Sequence, residues 1–142
     1  MPDSLIIRAD ASPPIGTGHV MHCLALAQQW QQKNGAVFFV SAEITPTLSE
    51  RLKAESMETA VITAAPGSIE DAEQTLAHAS ACEATWIVAD GYVFGVAWQK
   101  HIKDSGLRLL VIDDYGHSEH YHADIILNQN ASALESSSLL LS

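Results

Sequence analysis

A histidine stands directly behind two glycines, where the first apolar run of the chain turns into a helical pattern. In the segment RADASPPIGTGHVMHCLALAQQW, Gly16 and Gly18 precede His19. Glycines let the backbone approach a ligand closely, and the free N–H groups of a helix's first turn favour an anion. The helix dipole disfavours the imidazolium form, so a neutral His19 could act as general base toward water or a sugar hydroxyl. A plain tight turn, with the ring bonded to a strand-end carbonyl, is the alternative.

The glycine loop does not match either of the common phosphate-binding motifs. A dinucleotide fingerprint would need a third glycine at Met21, and the GK[ST] sequence of a P-loop is missing. The spacing alone therefore predicts neither kind of site, and a ligand is expected here only if other polar residues lie beside the loop.

Three of the predicted strands end in carboxylates. IIRAD ends in Asp10, WIVAD in Asp90 and LLVIDD in Asp113 and Asp114. Aspartate also favours turns and helix caps, which explains any one of them without a ligand. Three strand ends with carboxylates on the edge of a parallel sheet where ligands bind favour a ligand-binding site. Tyr92, two residues past the second of these strands, either hydrogen-bonds the ligand or packs as a half-buried ring.

Further histidines raise the question of a metal. His22 follows His19 by three residues and could share its helix face, but no third ligand follows at a suitable spacing. The segment HSEHYH adds three more, in an irregular context that is typical of a solvated loop: His117, His120 and His122. We therefore expect no metal.

Composition excludes several classes of partner. Of the 142 residues, 47% are hydrophobic and 17% charged, and 7 Lys and Arg oppose 17 Asp and Glu for a net charge of −10. Nucleic acid and anionic membrane surfaces both require clustered cations, so neither is expected as a partner. With cations scarce, an anionic ligand would have to be held by backbone N–H groups or by another domain.

Cysteine usage and the termini point to a cytoplasmic protein. Cys23 and Cys82 lie far apart with no CxxC motif, which gives no zinc or redox signature. Cys23 falls within a helical apolar pattern and is expected in the core. The N-terminal segment MPDSLIIRAD lacks a basic region and an apolar stretch of signal length, and no run approaches transmembrane length.

The elements that must position these residues alternate between strands and helices. Continuous apolar runs predict six strands, at residues 4–10, 36–42, 58–64, 84–91, 107–114 and 123–129. Helical patterns occupy residues 18–35, 45–56, 66–83 and 94–106. This alternation predicts an α/β fold, a Rossmann-like parallel sheet of about six strands with helices on both faces. Residues 1–131 form the domain, and 132–142 are expected to be a linker or the start of an interdomain connection.

Several helix ends carry recognisable signals. Thr45 is placed as an N-cap with Pro46 at the first helical position, and Ser68 caps another helix with Asp71 three residues on, an acidic variant of the capping box. Gly35 is predicted to stop the first helix. In that helix a stripe of apolar residues is expected to face the sheet: Val20, Cys23, Leu24, Ala27 and Trp30. Trp86 and Trp98 are expected in the core.

Four segments in order resemble the N-terminal half of a known family, the UDP-sugar hydrolases of pseudaminic acid biosynthesis and related spore-coat polysaccharide proteins. The segments are RADASPPIGTGHVMHCLALA, DGYVFG, IDDYGH and HADIILNQNA, and the resemblance runs from about Leu5 to Ala131. It implies the N-terminal half of a GT-B protein with two Rossmann-type domains. It also implies removal of UDP from UDP-2,4-diacetamido-2,4,6-trideoxy-β-L-altropyranose by water attack at the anomeric carbon, with inversion and without metal or cofactor.

The resemblance also implies roles for individual residues. His19 matches the histidine that activates water, and Tyr92 matches a substrate-contacting tyrosine. Asp10, Gly16, Gly18 and Asp90 match the surrounding pocket of the family. The substrate-binding residues are expected to include Thr17, His22, Asp113 and Asp114 as well. The chain departs from the family pattern at His22, where arginine is expected. Loss of that fixed cation would weaken contact with a phosphate or carboxylate.

Three functions are open at this point. The first is the sugar-binding half of a UDP-sugar hydrolase, completed by a C-terminal nucleotide-binding domain. The second is half of a GT-B glycosyltransferase for polysaccharide biosynthesis, in which His19 deprotonates an acceptor sugar. The third is a non-catalytic sugar-binding domain of the same fold. UDP is a stable leaving anion, so a single base without a paired acid is compatible with either reaction.

Overall fold

The computed structural model describes residues 3–11, 18–91, 93–112 and 123–127, and for residues 18–22 it describes the backbone only. The strands are β1 (Ser4–Ala9), β2 (Ala36–Ser41), β3 (Glu58–Val61), β4 (Ala84–Asp90), β5 (Arg108–Ile112) and β6 (Ile125–Leu127). The helices are α1 (Gly18–Gln32), α2 (Pro46–Ala54), α3 (Ile69–Ala81) and α4 (Val96–Asp104). Each element falls inside a range that the sequence predicts.

The strands form one parallel sheet in the order β3-β2-β1-β4-β5-β6. β1 pairs with β2 on one side and with β4 on the other, so the direction of winding reverses between β1 and β4. In open parallel sheets this reversal opens a crevice beyond the carboxyl ends of the strands, where ligands bind. The predicted Rossmann-like architecture is confirmed.

Helices cover both faces of the sheet. Alternate residues of β1 belong to two separate clusters: Leu5 and Ile7 pack with Cys23 of α1, while Ile6 packs with Ala72 of α3. α2 joins the first cluster and α4 the second. The central strands β1, β4 and β5 are buried along most of their length, whereas the edge strand β3 is half exposed.

The predicted caps of α2 and α3 are present. Thr45 Oγ1 accepts a hydrogen bond from the Leu48 amide at 3.3 Å, and Pro46 opens α2. Ser68 Oγ accepts from the Asp71 amide at 3.1 Å. The prediction that Asp71 completes a capping box is wrong. Its carboxylate binds the Gly67 amide at 2.8 Å and a buried arginine, because that arginine needs a countercharge.

The first helix ends differently from the prediction. α1 stops at Gln32, and Asn34, not Gly35, adopts the left-handed conformation, with φ of 67°. Gly35 is required for another reason. A Cβ at this position would lie 2.2 Å from Nε1 of Trp30, whose indole donates a hydrogen bond to the Asp3 carbonyl at 3.0 Å.

The tryptophans and cysteines divide between core and surface. Trp98 is buried as predicted, but Trp86 is only half-buried, because it faces the open start of the strands beneath the Arg108 guanidinium. Cys23 is buried and Cys82 partly buried, and neither belongs to a disulfide. Among the helices of the described ranges, none has the length and apolar character required to cross a bilayer.

Candidate functional site

Two of the predicted site carboxylates lie at the crevice between β1 and β4. Ala9, the last residue of β1, is in register with Asp90, the last residue of β4, and Asp10 follows immediately. The topology therefore places Asp10 and Asp90 on adjacent strands at the carboxyl edge, as the sequence predicts. Both residues are largely buried, with 7% and 2% of their surface exposed.

Asp10 is held by hydrogen bonds to one of its two oxygens. Oδ1 accepts from Nη1 of Arg8 at 2.6 Å and from the Ala42 amide at 2.7 Å. The Glu43 amide lies farther away, at 3.5 Å. The chain after β2 thus wraps around the carboxylate. The backbone of Ala11 extends this attachment by donating to the Glu43 carbonyl at 2.9 Å.

Asp90 lies beneath the N-terminal half of α1. The Cys23 thiol is 3.8 Å from its Oδ2, a distance at which sulfur acts as a weak hydrogen-bond donor. Cys23 itself is fully buried. Helix α1 therefore starts over the carboxyl edge of β4, and its second residue, His19, precedes Cys23 by one helical turn.

Other predicted site residues are described in part or not at all. Gly18 begins α1, but the structure describes only the backbone there, as it does for His19 and His22. Outside the described residues lie Gly16, Thr17, Tyr92, Asp113, Asp114, His117, His120 and His122. Their predicted roles stay predictions. The β5 residue that precedes Asp113, Ile112, is in register with Asp90.

The most strongly bonded charged group near this edge is one that the sequence patterns did not predict. Arg8, on β1, has no exposed surface and binds the Asp71 carboxylate through two nitrogens, Nε to Oδ1 at 2.9 Å and Nη2 to Oδ2 at 2.7 Å. Thr75 adds a bond to Oδ1 of Asp71 at 3.0 Å. An arginine within a continuous apolar strand, in IIRAD, was the available signal, because a buried charge requires a partner.

The ion pair sets the protonation of its members. Burial opposes ionisation of Asp71, but hydrogen bonds and charge from Arg8, together with the Gly67 and Thr75 bonds, outweigh it and lower the pKa of the carboxyl. Burial likewise opposes the charged form of Arg8. The carboxylates of Asp71 and Asp10 outweigh it and raise the pKa of the guanidinium. Both groups are therefore charged at neutral pH.

The loop after β4 packs against this pair. The Arg8 guanidinium carbon lies 5.1 Å from the centre of the Phe94 ring, and that ring lies 4.6 Å from the Trp98 ring. Gly67 approaches the same loop closely. Its φ is 82°, and a Cβ there would lie 2.3 Å from the Val93 carbonyl oxygen. Val93 and Phe94, which follow Tyr92, are thereby packed against Arg8 and its neighbours.

An apolar groove lies elsewhere and is not part of this site. It has a volume of about 280 Å³ and lies between α1 and the opposite ends of the strands. It is lined by Leu5, Leu26, Gln29, Trp30, Lys33, Trp86, Val88, Leu110 and Ile125. The groove holds none of the predicted site residues. In the described ranges, His, Cys, Asp and Glu side chains form no cluster of three that could hold a metal ion.

Comparison with solved structures identifies a protein with a similar fold. The chain superposes on the crystal structure of Acinetobacter baumannii MurG with a TM-score of 0.63 and 18% sequence identity, over 88% of its length. It shares the Rossmann-like fold of a MurG domain. The chain spans 41% of the MurG chain that it matches. No family model and no curated protein matches the sequence.

Proposed function

We propose that this chain is the sugar-side domain of a GT-B-type enzyme that acts on a UDP-sugar, with His19 as general base. The observation that carries the proposal is the position of Asp10 and Asp90 at the ends of adjacent strands, at the β1/β4 reversal and on the edge over which α1 begins. His19 is the second residue of that helix. MurG is a GT-B glycosyltransferase, and the shared fold supports the same class of chemistry here.

The reaction that the fold comparison favours is glycosyl transfer. The histidine takes the proton from an acceptor hydroxyl, whose oxygen attacks the anomeric carbon of the donor sugar. The bond from that carbon to the diphosphate oxygen breaks, and UDP leaves with the electron pair on the opposite face, which inverts the configuration. Because UDP is a stable anion, no general acid is required.

Hydrolysis is the second candidate, and the sequence segments favour it. RADASPPIGTGHVMHCLALA and DGYVFG resemble the UDP-sugar hydrolases of pseudaminic acid biosynthesis. In this reaction water replaces the acceptor hydroxyl, the substrate is a UDP-linked 2,4-diacetamido-2,4,6-trideoxyhexose, and Tyr92 contacts the sugar. The bond changes are otherwise the same.

The nucleotide requires a partner domain in either reaction. The net charge of −10 and the two carboxylates at the crevice disfavour a diphosphate on this edge. We infer that a C-terminal nucleotide-binding domain carries most contacts to UDP, in keeping with the 41% of MurG that the chain spans. The chain alone should bind the sugar weakly and turn over little.

Product analysis with the two-domain protein tests the proposal. UDP release is measured from the diacetamido-trideoxy UDP-sugar, with and without a sugar acceptor, for wild type, His19→Asn and the matched control His78→Asn on α3. Removal of a general base should lower the rate about 10²–10⁴-fold, while the control keeps its activity. Release that needs an acceptor indicates transfer, and release without one indicates hydrolysis. Undiminished release by His19→Asn would refute the role of this residue, and calorimetric sugar binding without any release would favour a non-catalytic domain.

A further inference from the structure

Arg8 connects a helix on one face of the sheet to the candidate site. Two of its nitrogens bind Asp71 at the start of α3, and the third, Nη1, binds Asp10 at the carboxyl edge. The Phe94 ring covers the guanidinium at 5.1 Å. Because Asp71 and Phe94 fix the plane of the guanidinium, the direction of Nη1 toward Asp10 is also fixed.

The bonding of Asp10 is one-sided. Oδ1 receives Arg8 Nη1 and the Ala42 amide, whereas Oδ2 receives no hydrogen bond from any residue in the described ranges. Yet the side chain is only 9% exposed. The bonds to Oδ1 thus hold Oδ2 in place at the crevice. This is the arrangement expected of an acceptor oxygen that binds a hydrogen-bond donor of a ligand.

We propose that Arg8 and Asp71 are positioning residues, which hold Asp10 so that its Oδ2 accepts a hydrogen bond from a hydroxyl or amide N–H of the sugar. This inference rests on the proposed function for the identity of the ligand. The positioning of Asp10 by Arg8 and Asp71 rests only on the hydrogen bonds among these three residues.

The charges of the three groups specify the kind of ligand atom. Arg8 carries one positive charge and Asp71 and Asp10 one negative charge each, so the trio keeps a net charge of −1 next to Asp90. A carboxylate in this setting attracts N–H and O–H donors and repels phosphate oxygens. The β1/β4 edge therefore selects the hydroxyl- and amide-bearing part of the substrate.

Stability alone does not account for the arrangement. A buried ion pair is often no more stabilising than apolar side chains of the same volume, because desolvation offsets the attraction. What apolar side chains could not supply is a directed donor to Asp10.

The experiment has one readout that needs no ligand. The Ala42 amide donates to Oδ1 of Asp10, so its NMR chemical shift and hydrogen exchange report where that carboxylate lies. Arg8→Lys, Asp71→Asn and Asp10→Asn should each shift this amide upfield and raise its exchange rate about tenfold or more. The control Asp124→Asn, which removes a carboxylate from a separate ion pair with Lys103, should leave it unchanged.

The second readout uses UDP-sugar turnover by the two-domain protein. We expect KM to rise about tenfold in Arg8→Lys, Asp71→Asn and Asp10→Asn, with kcat changed less than about threefold, as for loss of a ground-state contact. Arg8→Lys combined with Asp10→Asn should be no worse than Asp10→Asn alone, because both act through one oxygen.

Specific results would overturn the inference. An unchanged Ala42 amide in both Arg8→Lys and Asp71→Asn would refute the positioning role, and the milder Asp71→Asn keeps the test valid if Arg8→Lys fails to fold. Multiplicative effects on KM in the double variant would refute action through Asp10. A wild-type protein without turnover would overturn the proposed function instead, and the Ala42 readout would still decide the positioning.

Discussion

The Arg8 guanidinium and the Asp71 carboxylate form a two-bond ion pair in the interior, and neither side chain has any exposed surface. The two residues are 63 positions apart. The pair joins the first strand of the sheet to the helix that leads into its fourth strand, and it lies directly beside the crevice that holds Asp10 and Asp90.

Removal of one member of this pair should destabilise the fold strongly. Asp71→Ala leaves the Arg8 charge buried beside only Asp10, and loss of one partner of a buried pair typically costs about 3–5 kcal/mol. Urea denaturation gives the free energy of unfolding. Lys100→Ala, which breaks an exposed pair on α4, is the control and should change it by roughly 1 kcal/mol or less. Equal effects of the two substitutions would contradict the role given to burial.

Acid should unfold the protein partly through Asp71. The pKa of this carboxyl is lowered in the folded state, because the Arg8, Gly67 and Thr75 bonds outweigh its burial, so the unfolded chain binds its proton more readily. The resulting stability is fully present above the unfolded-state pKa, about 3.9, and is lost as pH falls through the lower folded-state value. Asp124, whose pKa the Lys103 contact lowers against the effect of its own burial, contributes with the same sign.

The measurement is the free energy of unfolding between about pH 2 and pH 6, the range in which carboxyl groups titrate. Asp71→Asn should flatten the acid limb of the stability curve, since its amide does not titrate. A slope as steep as that of wild type would show that other groups drive acid unfolding.

A methyl group at position 35 should displace an indole. Gly35→Ala places a Cβ 2.2 Å from Trp30 Nε1, so the ring must move and its hydrogen bond to the Asp3 carbonyl breaks. We expect a loss of about 1–3 kcal/mol and a change in tryptophan fluorescence. Gly95→Ala is the matched control, because nothing lies within 4 Å of a Cβ there. The same loss at both positions would indicate a backbone effect rather than a clash.

The two thiols should react at different rates. Cys23 is fully buried against Asp90 and should be inert toward a thiol reagent until the protein unfolds. Cys82 is only partly buried and should react in the native protein. Because burial raises the pKa of its thiol, the reaction should be slower than that of free cysteine at pH 8. Cys82→Ser should abolish labelling of the native protein. Labelling of that variant without unfolding would contradict the packing of α1 over β4.

Sequence patterns predicted most of the fold because its elements obey local rules. Continuous apolar runs placed all six strands, and Thr45, Pro46 and Ser68 marked helix starts through bonds that span only three residues. Gly35 was misassigned because the clash that requires it involves the position of the Trp30 ring, which depends on how α1 packs.

The sequence predicted that Asp10 and Asp90 lie at one edge of the sheet. It did not predict the Arg8–Asp71 ion pair, which binds Asp10. The strand ends fix the positions of Asp10 and Asp90 once the sheet is known to be parallel. The role of Asp71 depends on Arg8, and no local rule connects residues that meet only after β1 and α3 pack together. A short-range capping pattern therefore gave the wrong partner for the Asp71 carboxylate.

The strand order has a consequence for folding. β1 and β4 pair side by side at the site, where Ala9 is in register with Asp90. Three helices and two strands lie between them in the sequence, so they can pair only after those elements have been synthesised. Closing this segment carries an entropic penalty, which burial of the two hydrophobic clusters offsets. An N-terminal fragment that stops before β4 lacks one side of the crevice, so the proposed ligand site at this edge is completed only after β4 has paired with β1.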